Sequence, residues 1–104
     1  MDKYLHNSFH ALGDPTRLAV VEQLLEGPAS VSDLAKPHAM ALPAFTKHLG
    51  VLERAGLIRS EKTGRVRTCF IYPPSLQAID QWLIDRRQMW EGRLDRLAKH
   101  IDTD

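Results

Sequence analysis

One stretch decides the fold of this chain: Ala41-Leu-Pro-Ala-Phe-Thr-Lys-His-Leu-Gly-Val-Leu-Glu-Arg-Ala-Gly-Leu-Ile58. Its apolar residues Phe45, Leu49 and Leu52 recur at i, i+4 and i+7, which is the spacing of a helix with one buried face. Pro43 suits a first helical turn, because its missing N–H has no partner there, and Gly56 suits the left-handed residue that follows a helix. The stretch therefore predicts a helix that packs on a core through one face.

The opposite face of this helix is small, polar and basic, with no acidic residue. Its members are Pro43, Thr46, Lys47, Gly50 and Arg54. Such a face can lie in the DNA major groove, where hydroxyl and amino groups reach the base edges. An ordinary amphipathic surface helix would show the same pattern, so the neighbouring segments must decide between the two interpretations.

Two helices are predicted in the first part of the chain. One covers residues 4–12, with Leu5 and Phe9 on its apolar face. Asp14 can cap the second, with Pro15 at its first helical position. The core-facing positions expected in this second helix are Leu18, Val21, Leu24 and Leu25.

A third, short helix is predicted from Val31 to about Lys36. Ser30 can cap it, and Pro37 prevents its simple continuation. A short helix, a brief turn and a longer helix with a basic face then follow one another, which is the order of a helix-turn-helix.

After Gly56 the sequence pattern changes to period two. Two strands, 58–63 and 66–72, flank a turn at Gly64, and the second strand is rich in β-branched and aromatic residues. A β-hairpin directly after a helix-turn-helix is the wing of a winged helix. The predicted wing carries three basic residues placed to contact a phosphate backbone: Lys62, Arg65 and Arg67.

A long last helix is predicted over about 75–101, with Ser75 as its cap after Pro73-Pro74. Apart from a polar seam position at Arg86, its apolar residues follow steps of three and four: Leu76, Ile79, Leu83, Trp90, Leu94, Leu97 and Ile101. A helix this long overhangs so small a body, so we expect its apolar residues to meet a second copy of the chain. The alternative is that the helix folds back onto its own core.

These elements predict a single winged-helix domain over residues 1–104, mainly α with a small β-hairpin, in the order α-α-α-α-β-β-α. The formal net charge of +1 does not by itself indicate nucleic acid. Basic charge is concentrated between Lys47 and Arg67, where six Lys or Arg residues stand against two Glu residues. The positive charge therefore lies in the candidate groove helix and the wing.

Composition also limits the compartment and the metal chemistry. The single cysteine, Cys69, excludes an internal disulfide and a Cys-based zinc cage within one chain. Neither a signal-peptide pattern nor an apolar run of membrane-spanning length is present in the sequence. We therefore expect a cytosolic protein with no membrane partner.

With these segments placed, the chain resembles the ArsR family of bacterial winged-helix repressors. The resemblance rests on Phe9-His-Ala-Leu-Gly-Asp-Pro-Thr-Arg-Leu18, Met40-Ala-Leu-Pro-Ala-Phe-Thr-Lys-His-Leu49, Leu52-Glu-Arg-Ala-Gly-Leu-Ile58 and Glu61-Lys-Thr-Gly-Arg-Val-Arg67. It implies a homodimer, built from the first helix (4–12) and the last helix (75–101), that binds a pseudo-palindromic operator in double-stranded DNA and blocks transcription at the bacterial nucleoid. The interface is expected to include Leu5, Phe9, Leu76, Ile79, Leu83, Trp90, Leu94 and Leu97.

Candidate operator contacts lie in the same motifs. Thr46 and Lys47 are the best candidates for base edges, and Leu42 and Pro43 offer apolar contact to a thymine methyl group. A core position suits Leu42 equally well. By its family position His48 contacts DNA, and a structural hydrogen bond to the neighbouring helix is the alternative. The remaining candidate contacts are basic: Arg54, Lys62, Arg65 and Arg67.

Departures from the family pattern bear on the signal that the protein senses. Many members sense metal through cysteines on the third helix, where residues 30–35 have none, and the last helix lacks two histidines at ligand spacing. We therefore expect no metal site and no cofactor, as in the metal-free branch of the family, with a small-molecule inducer left unassigned. Ala41 stands where the family often has Ser, so no side chain caps the first N–H groups of the helix.

Three other functions are weighed against this one. A winged-helix protein-interaction module would use the same basic hairpin against an acidic protein, although the small-residue face of the helix favours DNA. A thiol-responsive regulator would use Cys69 with a second thiol from another chain or a small molecule. An enzyme is not expected, because the sequence has no nucleotide-binding glycine loop, no HExxH and no catalytic triad in a recognisable context.

Overall fold

The computed structural model describes residues 4–102 and has the predicted winged-helix architecture. The elements are α1 (Leu5–Leu12), α2 (Pro15–Glu26), β1 (Ala29–Ser30), α3 (Val31–Ala35), α4 (Leu42–Arg54), β2 (Ile58–Thr63), β3 (Val66–Ile71) and α5 (Pro73–Asp102). The structure contains one element that the sequence analysis does not predict, the two-residue strand β1 that precedes α3. The fold is thus mainly helical with a small antiparallel sheet.

The sheet has three strands in the order β1-β3-β2. Ala29 of β1 pairs with Cys69 of β3. Strand β2 pairs with β3 from Ile58 opposite Ile71 to Thr63 opposite Val66. Gly64 occupies the turn with a φ of 62°, a left-handed conformation that favours glycine. The β2–β3 hairpin, called the wing below, is therefore anchored at its base to the strand that leads into α3.

Helix α4 buries the face that its sequence predicts. Phe45 and Leu52 are fully buried and Leu49 is nearly so. The His38 ring stacks on Phe45 with 5.4 Å between the ring centroids, and Gly56 after the helix has a φ of 76°. The helix is thus fixed to the core along its length, which leaves its other face to solvent.

The predicted core stripe of α2 is partly wrong. Val21 and Leu24 are buried as expected, but Leu18 is 43% exposed, Leu25 is 61% exposed and Val20 takes the third core position. Helix α2 packs against α1, α4 and β3, and this packing buries Val20 in place of Leu18. The long apolar run in α2 offers several faces of similar hydrophobicity, so packing rather than periodicity selects one.

Two of the three predicted caps are present. Asp14 accepts hydrogen bonds from the backbone N–H groups of α2, and Ser30 Oγ accepts one from the backbone N–H of Asp33 at 3.1 Å. Ser75 is not a cap, because α5 already begins at Pro73. The Ser75 hydroxyl instead donates to the carbonyl oxygen of Gly56, which ties the start of α5 to the end of α4.

Replacing Asp14 by alanine is expected to lower the melting temperature by several degrees at neutral pH. The carboxylate accepts from the N–H groups of Thr16 and Arg17 at 2.9 and 3.1 Å. The Arg17 N–H above all, with the charges of His48 and Arg17, holds the pKa of Asp14 below its ordinary 3.8. Because the folded-state pKa is depressed, this stabilisation is present above the ordinary value and is lost as the pH falls through the folded-state pKa.

Thermal melts from neutral to strongly acidic pH check this expectation, with Asp14→Asn as the matched control. Asparagine keeps an acceptor for the helix N–H groups but does not titrate. The Asn variant should therefore stay close to wild type at neutral pH and lose less stability on acidification. Identical melting temperatures for wild type and Asp14→Ala at neutral pH would show that the cap contributes nothing.

Helix α5 extends far beyond the body of the domain. Its first turns pack on the core through Leu76 and Ile79, and the 30-residue helix spans about 45 Å in a molecule whose longest dimension is 68 Å. Its later turns expose an apolar strip, defined here as Leu83, Trp90, Leu94, Leu97 and Ile101. Within residues 4–102, no helix combines the length and apolarity needed to cross a membrane.

Three members of the predicted interface set are buried or partly buried within the single chain. Leu5 is only 6% exposed and is buried within its own chain, and Leu76 and Ile79 pack against the chain's own core. These three residues fix α1 and the first part of α5 to the body. The exposed members of the predicted interface set are Phe9, Leu83, Trp90, Leu94 and Leu97.

Candidate nucleic-acid interface

Helix α4, the wing and the start of α3 enclose an open groove. Its volume is about 610 Å³, and it is lined from α4 by Leu42, Thr46 and Gly50 and from the wing by Arg65 and Arg67. The groove runs along one side of α4, because the nearly buried Leu49 and the last-turn residue Glu53 also line it. Of the candidate DNA contacts, Leu42, Thr46, Arg65 and Arg67 line this one groove, whereas Pro43, Lys47 and Lys62 do not.

The exposed face of α4 carries the residues predicted for base contacts. Leu42 is 58% exposed, so the alternative core position for this residue is wrong. Pro43, Thr46 and Lys47 are also exposed. Thr46 Oγ1 donates a hydrogen bond to the backbone carbonyl of Leu42 at 2.9 Å. This face is therefore open to a partner along the first two turns of the helix.

The wing presents both free and tethered cations. Within the part of the chain that the structure describes, no side-chain hydrogen bond or ion pair engages Lys62 or Arg65. Arg67 Nη1 instead donates to Ser60 Oγ at 2.9 Å, and Ser60 Oγ donates to Glu53 Oε1 at 2.9 Å. Arg67 is therefore held at the groove wall and linked through Ser60 to the end of α4.

The Glu53–Ser60–Arg67 chain is a feature that sequence reasoning missed. Ser60 pairs with Cys69 across the hairpin, and Arg67 lies two residues before Cys69 on β3. Residues two apart on a strand share a face, so the hairpin register alone indicates that Ser60 and Arg67 are neighbours. The contact to Glu53 depends on how the hairpin packs on α4, which the sequence pattern does not specify.

His48 connects α4 to the junction of α1 and α2. Its Nδ1 atom lies 3.1 Å from Arg17 Nη1 and 3.7 Å from Asp14 Oδ2. Arg17 Nε also donates to the carbonyl of Ala11 at 2.7 Å. The structural hydrogen bond that is the alternative role of His48 is thus present. Arg17, which the sequence analysis does not include in the site, connects α4 to the junction of α1 and α2.

Arg54 lies outside the groove. It lines a separate cleft of about 290 Å³ with Asn7 and His10 of α1. Its guanidinium folds back along α4, where Nη1 would be 3.1 Å from a Cβ atom at Gly50. Arg54 therefore does not line the groove itself, although its guanidinium reaches Gly50, which does.

Cys69 is fully buried in the core cluster. Burial above all, together with the nearby charge of Glu53, raises the pKa of its thiol. A protonated, inaccessible thiol is a poor nucleophile, so the structure gives no support to a thiol-responsive role. Among residues 4–102, no group of three or more His, Cys, Asp or Glu side chains is placed to hold a metal ion.

Comparison with known proteins agrees with this geometry. A family model described as a helix-turn-helix domain matches residues 12–61. The chain is similar to the HTH-type transcriptional regulator Rv2034 of Mycobacterium tuberculosis, with 34% identity over 97 residues that cover 93% of this chain and 88% of the relative. It is also similar to the transcriptional repressor SdpR of Bacillus subtilis, with 26% identity covering 78% of this chain and 90% of the relative.

A solved structure supports the same conclusion. The crystal structure of the ArsR family transcriptional regulator RHA00566 superposes with a TM-score of 0.81 and 50% sequence identity, covering 86% of this chain and 98% of that chain. The similarity thus extends over most of this chain and nearly all of that one. The chain belongs to the ArsR family of winged helix-turn-helix transcriptional regulators.

Proposed function

We propose that this protein is a homodimeric, sequence-specific repressor that binds a pseudo-palindromic operator in the bacterial cytosol. The observation that carries the proposal is the exposed face of α4, which lies beside wing cations in one groove. The first three turns of α4 carry no acidic side chain, and Glu53, the acidic residue of α4 that does line the groove, accepts a hydrogen bond from Ser60. A polar, basic helix face next to a basic hairpin is the surface that duplex DNA requires. The similarity to a transcriptional repressor supports the direction of regulation.

Different parts of this surface are assigned different roles. Leu42, Pro43, Thr46 and Lys47 contact base edges in the major groove, since they are the exposed residues of the first turns of α4. The wing residues neutralise phosphates: Lys62, Arg65 and Arg67. His48 and Arg54 support the site, because one docks α4 on α2 and the other lies against α1.

The dimer is formed through Phe9 and the apolar strip of α5. Trp90 and Ile101 are each 63% exposed, and Leu97 is 54% exposed, which is unusual for large apolar residues in a monomer. Phe9 contacts Trp82 edge to face at 5.4 Å and so extends the apolar surface from α5 onto α1. A two-fold axis through this surface places two copies of α4 on one face of a duplex, about one helical turn apart.

Selection of bound fragments from sheared genomic DNA tests the proposed function. The purified protein should enrich a small set of fragments that share a two-fold symmetric sequence, with half-sites roughly 10 bp apart or a multiple of that spacing. A protein-interaction module with a basic hairpin would retain fragments without a shared sequence, or none. Recovery of fragments with no common sequence at moderate salt would therefore contradict the proposal.

Metal ions are expected to leave operator affinity unchanged. Helix α3 contains no cysteine, and α5 contains a single histidine, His100, whereas a metal site needs three or four convergent ligands. Zinc, cadmium, nickel or arsenite added to the protein–DNA complex should not shift the dissociation constant. The control for each metal salt is the sodium salt of its counter-anion, and the control for sodium arsenite is sodium chloride. Release of DNA at a near-stoichiometric amount of any of these would reveal a metal site.

A further inference from the structure

We propose that helix α4 selects an A·T base pair at one position of each half-site, through Thr46 and Leu42. In this inference Thr46 Oγ1 accepts a hydrogen bond from the N6 amino group of adenine. The Leu42 side chain contacts the C5-methyl group of the paired thymine. The inference rests on the proposed function, because it requires the groove face of α4 to enter the major groove.

The hydrogen bond within α4 fixes what Thr46 can offer to a base. A hydroxyl group has one hydrogen to donate and two lone pairs that accept. Thr46 directs its hydrogen to the carbonyl oxygen of Leu42 at 2.9 Å, so the exposed side of Oγ1 presents a lone pair. The hydroxyl is therefore an acceptor toward the groove, unless this bond within the helix is broken.

Only two bases present an amino donor in the major groove. Adenine offers N6 and cytosine offers N4, whereas guanine and thymine offer acceptor atoms to a side chain at those edges. To bind guanine or thymine through its oxygen, Thr46 would have to release the Leu42 carbonyl. Adenine and cytosine are therefore the two bases that match the hydroxyl as it stands.

Leu42 decides between these two bases. It lies one helical turn before Thr46, about 6 Å along the axis, and lines the same groove. Its side chain is 58% exposed and does not belong to the core. Of the two pairs that carry an amino donor, only A·T also carries a methyl group in the major groove. The two side chains together thus match an A·T pair.

A contact made by Lys47 can be distinguished from the proposed contact of Thr46 with adenine. It is exposed and, among the described residues, has no hydrogen-bond or ion-pair partner. Its ammonium group donates hydrogen bonds and cannot accept them, so it suits guanine or phosphate and not an adenine amino group. Loss of recognition at adenine N6 can therefore be traced to Thr46.

Atomic substitution in the selected duplex tests the inference. Each A·T pair of the half-site is replaced in turn by purine·T, which lacks the N6 amino group, or by A·U, which lacks the methyl group. For the wild-type protein, one and the same pair should lose affinity about tenfold with purine and severalfold with uracil. Thr46→Val, which keeps the shape but has no hydroxyl, should bind the purine and adenine duplexes equally.

Two further variants separate the contributions of the hydroxyl and the leucine. Thr46→Ser keeps a hydroxyl that can make the same bond to the Leu42 carbonyl, so it should retain the preference for adenine over purine. Leu42→Ala should lose the response to uracil and keep the response to purine. Thermal melting of each variant shows whether the fold is retained, and each preference is measured as a ratio of two affinities of the same variant.

The outcomes distinguish this inference from the proposed function. A wild-type protein that binds a specific duplex but shows no pair sensitive to purine, or whose Thr46→Val variant keeps that sensitivity, overturns the inference and leaves sequence-specific binding intact. A position that depends on Thr46 but prefers guanine or thymine also overturns it. Failure of the selection to yield any preferred duplex contradicts the proposed function, and the inference falls with it.

Discussion

Replacing Leu83 and Trp90 together by glutamate is expected to convert the protein into a monomer and to abolish operator binding. Leu83 is 50% exposed and Trp90 is 63% exposed on the same helix. In the proposed dimer they become buried, where two charges without partners are strongly unfavourable. Each monomer would then hold one half-site only, and without a linked second half-site the affinity falls by about 100-fold or more.

Sedimentation velocity and binding to the selected duplex check this expectation in parallel. Leu25→Glu is the matched control, because Leu25 is 61% exposed on α2 and is not part of the apolar strip of α5. The control should remain dimeric and bind DNA as the wild type does. A wild-type protein that sediments as a monomer at micromolar concentration, or a double variant that stays dimeric, would contradict the proposed interface.

The second large effect is expected when variants of the base-contacting residues on α4 are compared with variants of the phosphate-contacting residues on the wing. Thr46→Ala with Lys47→Ala should lower the ratio of operator affinity to random-DNA affinity, since a good base contact contributes roughly 1–3 kcal/mol of discrimination. Arg65→Ala with Arg67→Ala should weaken both duplexes alike, because phosphate contacts carry little sequence information. The slope of affinity against salt should also flatten by about one unit for each phosphate that the variant no longer neutralises.

Arg59→Ala provides the control for a loss of charge on the same hairpin. The Arg59 guanidinium lies over the Tyr72 ring at 3.8 Å, and Arg59 alternates with Ser60, which faces α4. Arg59 does not line the groove, so its removal should leave the salt slope nearly unchanged. If the wing variant alters sequence preference while the helix variant alters only overall affinity, the two roles are reversed.

The sequence predicts α4 well because several local signals agree there. The spacing of Phe45, Leu49 and Leu52, a proline in the first turn and a glycine after the last all specify the same helix, and all three apolar residues are buried. The wing is equally clear, since period-two alternation and Gly64 define both strands and the turn. Signals of this kind are local, so they need no knowledge of the rest of the fold.

Elements that depend on packing are predicted poorly. The two-residue strand β1 has no periodicity of its own and exists because Ala29 and Ser30 pair with β3. Leu18 and Leu25 belong to an apolar run that several helix orientations would bury equally well. The face of α2 that is buried is set by its packing on α1, α4 and β3, and α4 and β3 lie far away in the sequence.

The site itself is predicted in part for the same reason. The exposed residues of α4 and the cations of the wing follow from local pattern, and Leu42, Thr46, Arg65 and Arg67 among them line one groove. The hydrogen bond between Arg17 and His48 joins residues 31 positions apart, and the link from Arg67 to Glu53 passes through Ser60. Such contacts form only when elements that are distant in the sequence pack together, so no local sequence pattern predicts them.

Salt titration of the wild-type protein on its selected duplex and on a scrambled duplex of the same composition tests sequence-specific DNA binding most directly. We expect tighter binding to the selected duplex at every salt concentration. Affinity for both duplexes should fall steeply as salt rises, with a logarithmic slope of about −0.9 for each phosphate neutralised. Equal affinity for the two duplexes, or affinity that does not change with salt, would contradict the proposed function.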